Sequence, residues 1–213
     1  IKQFNANASK EMKNTLLKLE KKKVSGYVID LRSNPGGLLD SSIDISRQLI
    51  NQGTIVSTLS KNGFKEVKKA NGSALTNKPL VVLVNEGSAS ASEIVSGAIR
   101  DNKRGKLVGK RTFGKGLVQS MRSLVGGSGL TVTVAKYLTP NGTDINKYGI
   151  SPDIDVDMNI KPILQKDVGT RKDKQYKAGE NFLINLIKLE GSQTSFIPTS
   201  PNLYPALKYK VVI

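Results

Sequence analysis

Five apolar residues in a row, Leu80 to Val84, stand between Pro79 and Asn85. A run so short and so continuous suits a strand covered on both faces, as in a parallel sheet. It is followed at once by "EGSASASEIVSG", a small-residue turn opening into a helical pattern that runs through about Arg100. A strand passing through such a turn into a helix sets the turn at the lip of a sheet. The same alternation recurs along the chain. Met12, Leu16 and Leu19 predict a helix over 9–23 with Ser9 as a cap, and "YVIDLR" (27–32) predicts a short strand. Pro35, Gly36 and Gly37 then make a sharp loop, and Leu39, Ile43 and Ile50 continue as an amphipathic helix to about Asn51. Further strands are expected at 54–60, 106–109, 116–124 and 130–138, the last two joined by the "GGSG" turn at 126–129. The polar stretch 62–78 reads as hairpins and loop. Alternating strands and helices define an α/β class. After Asp157 the pattern weakens to a polar run, one amphipathic helix at 181–190 and a tail from Gly191 to Ile213 without an assignment. The expected organisation is a core over 1–157 and a C-terminal segment over 158–213 that packs either on that core or on a lobe outside this chain.

Composition narrows the chemistry. At 213 residues, 38% hydrophobic and 23% charged, the chain suits one sizeable globular domain. No apolar run approaches the roughly 18 residues of a membrane span, and Ile1 to Asn7 has no signal-peptide pattern. A first residue that is Ile rather than Met is expected of a fragment or a processed form. A formal charge of +16 would draw acidic partners or anionic lipid head groups through a general field. Aromatics are only 5%, and no basic run is interleaved with them, so a nucleic-acid platform is not expected. Two zeros matter more. Without cysteine there is no disulfide, thiolate nucleophile or Cys-type metal site, and without histidine the usual general base is missing. A Ser-His-Asp triad cannot be built from this chain alone. Any serine chemistry needs another base, and lysine is the candidate.

Serine is a weak nucleophile until a base takes its proton. Of the four serines at 88, 90, 92 and 96, Ser90 sits between Ala89 and Ala91, where small side chains leave room for a substrate backbone. The Ala91 amide, at a helix start, would face outward and could stabilise an oxyanion. The competing reading is local: Ser90-Ala91-Ser92-Glu93 is also a capping box, which would tie the same hydroxyl to the helix. Lys115 lies between Gly114 and Gly116, with Phe113 and Leu117 beside them. A free lysine titrates near about 10.4 and is almost wholly charged at neutral pH. Apolar burial would favour the neutral amine that can accept a proton. Gln119, four residues on, could hold that amine; a solvated turn is the bland alternative.

In this order, "IDLRSNPGG", "VNEGSASASEI" and "GKRTFGKGLVQS" resemble the carboxyl-terminal processing peptidases, also called tail-specific proteases. "YLTPNGTDINKYGISPDI" is similar to the family's closing segment, so the resemblance covers about residues 1–157 and is weak beyond. It implies a serine–lysine endopeptidase on a crotonase-like (ClpP/crotonase) α/β core, without a recognisable copy of the family's inserted PDZ domain. Matched block by block, the nucleophile falls on Ser90, the general base on Lys115 and the lysine-orienting glutamine on Gln119. The implied oxyanion hole combines the Ala91 amide with Gly36, and Glu93 and Asp101 are expected to be structural. No metal or organic cofactor is implied. The implied substrates are unstructured C-terminal tails of proteins. Similarity is greatest to cyanobacterial and plastid members, which trim the photosystem II reaction-centre precursor. That implies an extracytoplasmic setting, either a bacterial periplasm or a thylakoid lumen, with peripheral association at a membrane surface left open. Two other readings remain at this point: a non-catalytic peptide-binding scaffold on the same core, and a crotonase-type acyl-CoA enzyme.

Overall fold

The computed structural model describes residues 1–124, 126–158, 164–193 and 211–212. The elements in order are α1 (Ala8–Lys21), β1 (Gly26–Asp30), α2 (Leu39–Leu49), β2 (Thr54–Ser60), β3 (Lys65–Lys69), β4 (Leu80–Val84) and α3 (Ala91–Asp101). They continue with β5 (Lys106–Gly109), β6 (Leu117–Ser123), β7 (Gly129–Leu138), β8 (Ile154–Asp155), α4 (Lys174–Gln193) and β9 (Val211–Val212). Two sheets result. One is parallel, in the order β8-β5-β4-β1-β9, and the other antiparallel, in the order β3-β2-β7-β6.

The apolar run at 80–84 is the central strand of the parallel sheet, and its lack of any polar member has a direct cause. Leu80, Val82 and Val84 point into a core shared with α1, α2 and α3, while Val81 and Leu83 point the other way, into a cluster with Tyr176 and Leu183 of α4. Both faces are covered, so both sets of side chains must be apolar. β1 obeys the same alternation, with Tyr27 and Ile29 on one face and Val28 on the other. Helix α4 comes so close to β4 that a Cβ on Gly179 would stand 2.9 Å from Leu83 Cδ2.

Short strands β8 and β9 were not expected, and β3, α4 and the cap of α1 depart from the expected pattern for identifiable reasons. β3 lies inside the stretch read as hairpin and loop. It is a charged, exposed edge strand paired with β2, and edge strands are commonly kept polar to discourage further pairing. α4 starts at Lys174 rather than 181, because its first turns bury only Gln175, Tyr176 and Gly179 within a polar sequence. Ser9 is not a cap. It lies within α1, where its hydroxyl accepts a hydrogen bond from Gln48 Nε2 (3.0 Å), and Asn7 holds the N-cap position. The tail at 191–213, left without an assignment from the sequence, lies mostly outside the described residues.

The candidate active site

Neighbouring parallel strands β1 and β4 release their chains at the same end of the sheet, the usual place for a site in an α/β fold. The loop after β1 (31–38) and the turn after β4 (85–90) are stitched together there. The Ser33 N–H donates to Asn85 Oδ1 (2.7 Å), the Ser88 hydroxyl to the Leu31 carbonyl (2.8 Å), and the Ala89 N–H to the Asn34 carbonyl (3.0 Å). From the other side, buried Phe4 pins the loop through the bonds Phe4 N–H to Gly36 C=O (2.9 Å) and Leu38 N–H to Phe4 C=O (2.7 Å). Gly36, at φ +105°, is pressed on the serine turn. A Cβ there would stand 2.7 Å from the Ala89 carbonyl oxygen, 2.8 Å from Ser90 Cβ and 3.0 Å from the Ala91 nitrogen.

Three of the four clustered serines have structural work for their hydroxyls. Ser88 Oγ also accepts from the Asn85 N–H (3.0 Å), Ser92 Oγ donates to the Asn34 carbonyl (2.9 Å), and Ser96 Oγ donates to the Ser92 carbonyl (2.8 Å). All three are wholly buried, whereas Ser90 is partly exposed. Ser90 also has an unusual backbone, φ 54° and ψ −112°, at the N-cap of α3. Positive φ in a non-glycine residue costs on the order of 1–3 kcal/mol and persists only where the surroundings enforce it. The capping box is present in outline, with the Ser90 side chain towards the Glu93 N–H, which is itself bonded to the Ser90 carbonyl (2.8 Å). The buried Ala91 N–H, by contrast, has no acceptor among the described residues.

Glu93 organises more than its own helix end. Its side chain is wholly buried, and its Oε2 accepts from the Ser90 N–H (2.9 Å) and the Lys115 N–H (2.8 Å). Its Oε1 accepts from the Thr112 hydroxyl (2.6 Å) and the Gly114 N–H (2.7 Å). The backbone nitrogens of Ser90 and Lys115 therefore share one oxygen atom and lie no farther apart than those two bonds laid end to end. Phe113 adds a further tie, its N–H donating to the Ser88 carbonyl (3.0 Å). The glycines beside Lys115 let a second strip of chain cross it: a Cβ on Gly114 would lie 2.9 Å from the Gly149 nitrogen, and one on Gly116 would strike the Asn146 backbone.

The structure thus gathers Ser90, Ala91, Gly36 and the Lys115 backbone. The Lys115 side chain itself is exposed, and its amine has no hydrogen bond or ion pair among the described residues. Apolar cover around it is incomplete, since Phe113 is largely exposed and Leu117 only half-buried. Gln119 is exposed on β6, opposite Thr133 and beside a register irregularity, with no side-chain hydrogen bond to Lys115. The Gly36 N–H is engaged by Asn34 Oδ1 (2.9 Å) in this arrangement. Asp101 closes the far end of α3, bonded to Arg100 (3.0 Å) and to the Asn141 N–H (3.1 Å). Asn34, Asn85 and Thr112 were not singled out in the sequence. Each acts through a partner distant in the chain, and no local spacing announces it. Among the described residues no cluster of His, Cys, Asp or Glu could hold a metal ion.

A strained serine thus stands at a strand–turn–helix junction, with a lysine loop fastened to it through Glu93. The profile of peptidase family S41 matches residues 1–156, and the chain belongs to that family. Over 195 residues it is 47% identical to the carboxyl-terminal-processing protease of Synechocystis sp., covering 92% of this chain and 45% of that one. It is 44% identical to the chloroplastic C-terminal processing peptidase of Tetradesmus obliquus over 160 residues, 75% of this chain and 34% of that one. A solved photosystem II D1 C-terminal processing protease superposes with a TM-score of 0.70 at 44% identity, covering 74% of this chain and 41% of that one. The chain spans less than half the length of each of these relatives.

Proposed function

We propose that this chain is the catalytic core of a serine-type endopeptidase, crotonase-like in fold, that cleaves near the C-termini of protein substrates with Ser90 and Lys115 as a dyad. The observation that carries the reading is the pairing of the strained, partly exposed Ser90 with the Ala91 N–H, which has no acceptor among the described residues, while Ser88, Ser92 and Ser96 are committed elsewhere. Neutral Lys115 takes the Ser90 proton as the hydroxyl oxygen attacks the peptide carbonyl. The oxyanion rests on the Ala91 amide and on Gly36, whose N–H must turn from Asn34 or share its bond. The lysine proton passes to the leaving amine as the C–N bond breaks, and water repeats the sequence to release the acyl group. Gln119 steadies the amine. A bound peptide supplies the apolar cover that Lys115 lacks at rest. The substrate we infer is a disordered C-terminal tail, that of photosystem II D1 among them, in a thylakoid lumen or periplasm, with the +16 surface favouring contact with anionic membranes.

The test is cleavage of a peptide-tagged disordered tail by purified variants. Ser90→Ala and Lys115→Ala should each abolish turnover while leaving the circular dichroism unchanged; full activity in Lys115→Ala ends the dyad proposal. The exposed lysine and the occupied Gly36 N–H are also what a peptide-binding scaffold would show. A mechanism-based serine probe separates the two, because covalent labelling at Ser90 requires an enzyme and tight peptide binding without labelling requires a scaffold.

A further inference from the structure

Near the start of the loop that carries Gly36 lies Arg32, whose side chain is only 12% exposed. It is gripped from two sides. Nε and Nη2 donate to the Asp30 carboxylate (2.9 and 2.6 Å), while Nη1 and Nη2 donate in a fork to Asp173 Oδ1 and Oδ2 (2.9 and 2.7 Å). Nη1 also reaches Gln175 Oε1 (3.2 Å), and Gln175 Nε2 donates to the Val156 carbonyl (2.9 Å). Asp173 is itself nearly inaccessible, at 3% exposure, and is fixed by the Gly169 N–H (3.0 Å) and the Tyr176 N–H (3.2 Å) at the start of α4. A buried ion cluster is a poor source of net stability, because desolvation consumes much of the attraction. What it provides is a fixed position. Arg–carboxylate forks define both distance and plane.

The next residue shows what that position is for. Ser33 has φ 55°, another left-handed non-glycine, and from it the chain turns through Asn34 to Gly36. Asn85 and the serine turn hold this strained corner on one side, through the bonds already described, and Arg32 is its anchor on the other. Residue 173 lies outside the stretch matched by the family profile, which ends at 156. We infer that Asp173, acting through Arg32, is a positioning residue that sets the Ser33–Gly37 loop against Ser90. The segment leading into α4 thereby completes the active site. This inference rests on the peptidase reading above for its consequence in turnover, but the anchoring itself can be read without any turnover.

The experiment is Asp173→Asn, with Arg32→Lys as a second variant. Asparagine keeps the shape and still caps a helix, but it presents an NH2 group to a guanidinium that only donates. Lysine keeps the charge and loses the fork. Both variants should speed amide hydrogen exchange over residues 31–38 about tenfold or more, leaving α1 and β4 protected as before. Both should lower kcat by about tenfold to a hundredfold with KM nearly unchanged, as a small misplacement of a catalytic loop does. Asp173→Glu, which restores a carboxylate, should recover part of both losses. Unchanged exchange over 31–38 in both variants overturns the inference, and so does faster exchange with an unaltered kcat. Should the unmodified protein cleave no C-terminal tail, the peptidase reading is what fails, and exchange over 31–38 alone then decides whether the anchor exists.

Discussion

Glu93 accepts hydrogen bonds from the Ser90, Gly114 and Lys115 N–H groups and from the Thr112 hydroxyl, all from within the core. Four donors converging on one carboxylate leave no orientation in which an amide could replace it. In Glu93→Gln at least one buried N–H must face an NH2 group, and each stranded donor costs about 1–3 kcal/mol. Urea unfolding should therefore show a loss of at least about 1 kcal/mol. Turnover, measured where the variant is still folded, should fall about a hundredfold because the serine turn and the lysine loop lose their common tie. Thr112→Val, which removes one donor to Glu93 and the acceptor of the Ile150 N–H but spares that tie, should lose less activity; equal losses in the two variants would show that the tie through Glu93 does not set turnover. At this scale the sequence was informative in a particular way. The absence of histidine and cysteine pointed to lysine, and the three linked motifs pointed to Ser90, Lys115, Gln119, Gly36 and Ala91. The wider task of Glu93 was not legible, because S-x-x-E explains itself locally as a cap. Its other partners lie 19 to 22 residues downstream.

Among the elements, the strands buried on both faces were the easiest to read. β5 has the expected boundaries, and β4 lies within a residue of its own, because short apolar runs with glycine or proline at their ends have few other interpretations; β2, half-buried and rich in Thr and Ser, also has the expected boundaries. β3 was hidden by its edge position and α4 by the sparseness of its buried residues. The contact between the segment 145–149 and the lysine loop was equally invisible, although its glycines could be seen. Gly149 sits at φ +64°, and a Cβ there would be driven into the Thr112 carbonyl. The neighbouring bonds are Lys147 N–H to Gly114 C=O (2.8 Å) and Ile150 N–H to Thr112 Oγ1 (2.7 Å). Gly149→Ala should therefore push the two strips apart and cost about 1–3 kcal/mol from strain and lost packing. Because Thr112 and Gly114 both bond to Glu93, the same change should reduce turnover. The paired measurement is a thermal melt and a cleavage assay on one preparation. A variant as stable and active as the parent would show that the two segments can separate without consequence for the site.

Over the whole molecule, 33 basic residues face 17 acidic ones, so the few well-placed carboxylates carry unusual weight. Burial alone would push the Asp173 carboxyl up, but hydrogen bonds from Arg32 and from the Gly169 and Tyr176 N–H groups outweigh it and hold the carboxyl below the ordinary range. The same balance holds for Glu20, where bonds from Lys78 and Tyr27 overcome desolvation, and for Asp144, where Lys136 and the Asn146 N–H do so. A carboxylate depressed in the folded state contributes stability above its unfolded value, near about 4. That contribution fades as pH falls through the folded value, because the unfolded chain then binds more protons. The protein should accordingly hold a stability plateau at neutral pH and lose stability progressively from about pH 5 downward. Loss of the acidic charges leaves the basic residues to repel one another, so added salt should recover part of the acid loss by screening. Asp173→Asn removes one depressed carboxylate and should flatten the acid limb, with little change in slope between pH 6 and 8. Equilibrium unfolding by urea across pH 3–8, at low and high salt, reads all of this. An acid limb that is equally steep in the variant would show that the Arg32 cluster contributes nothing to the pH dependence of folding.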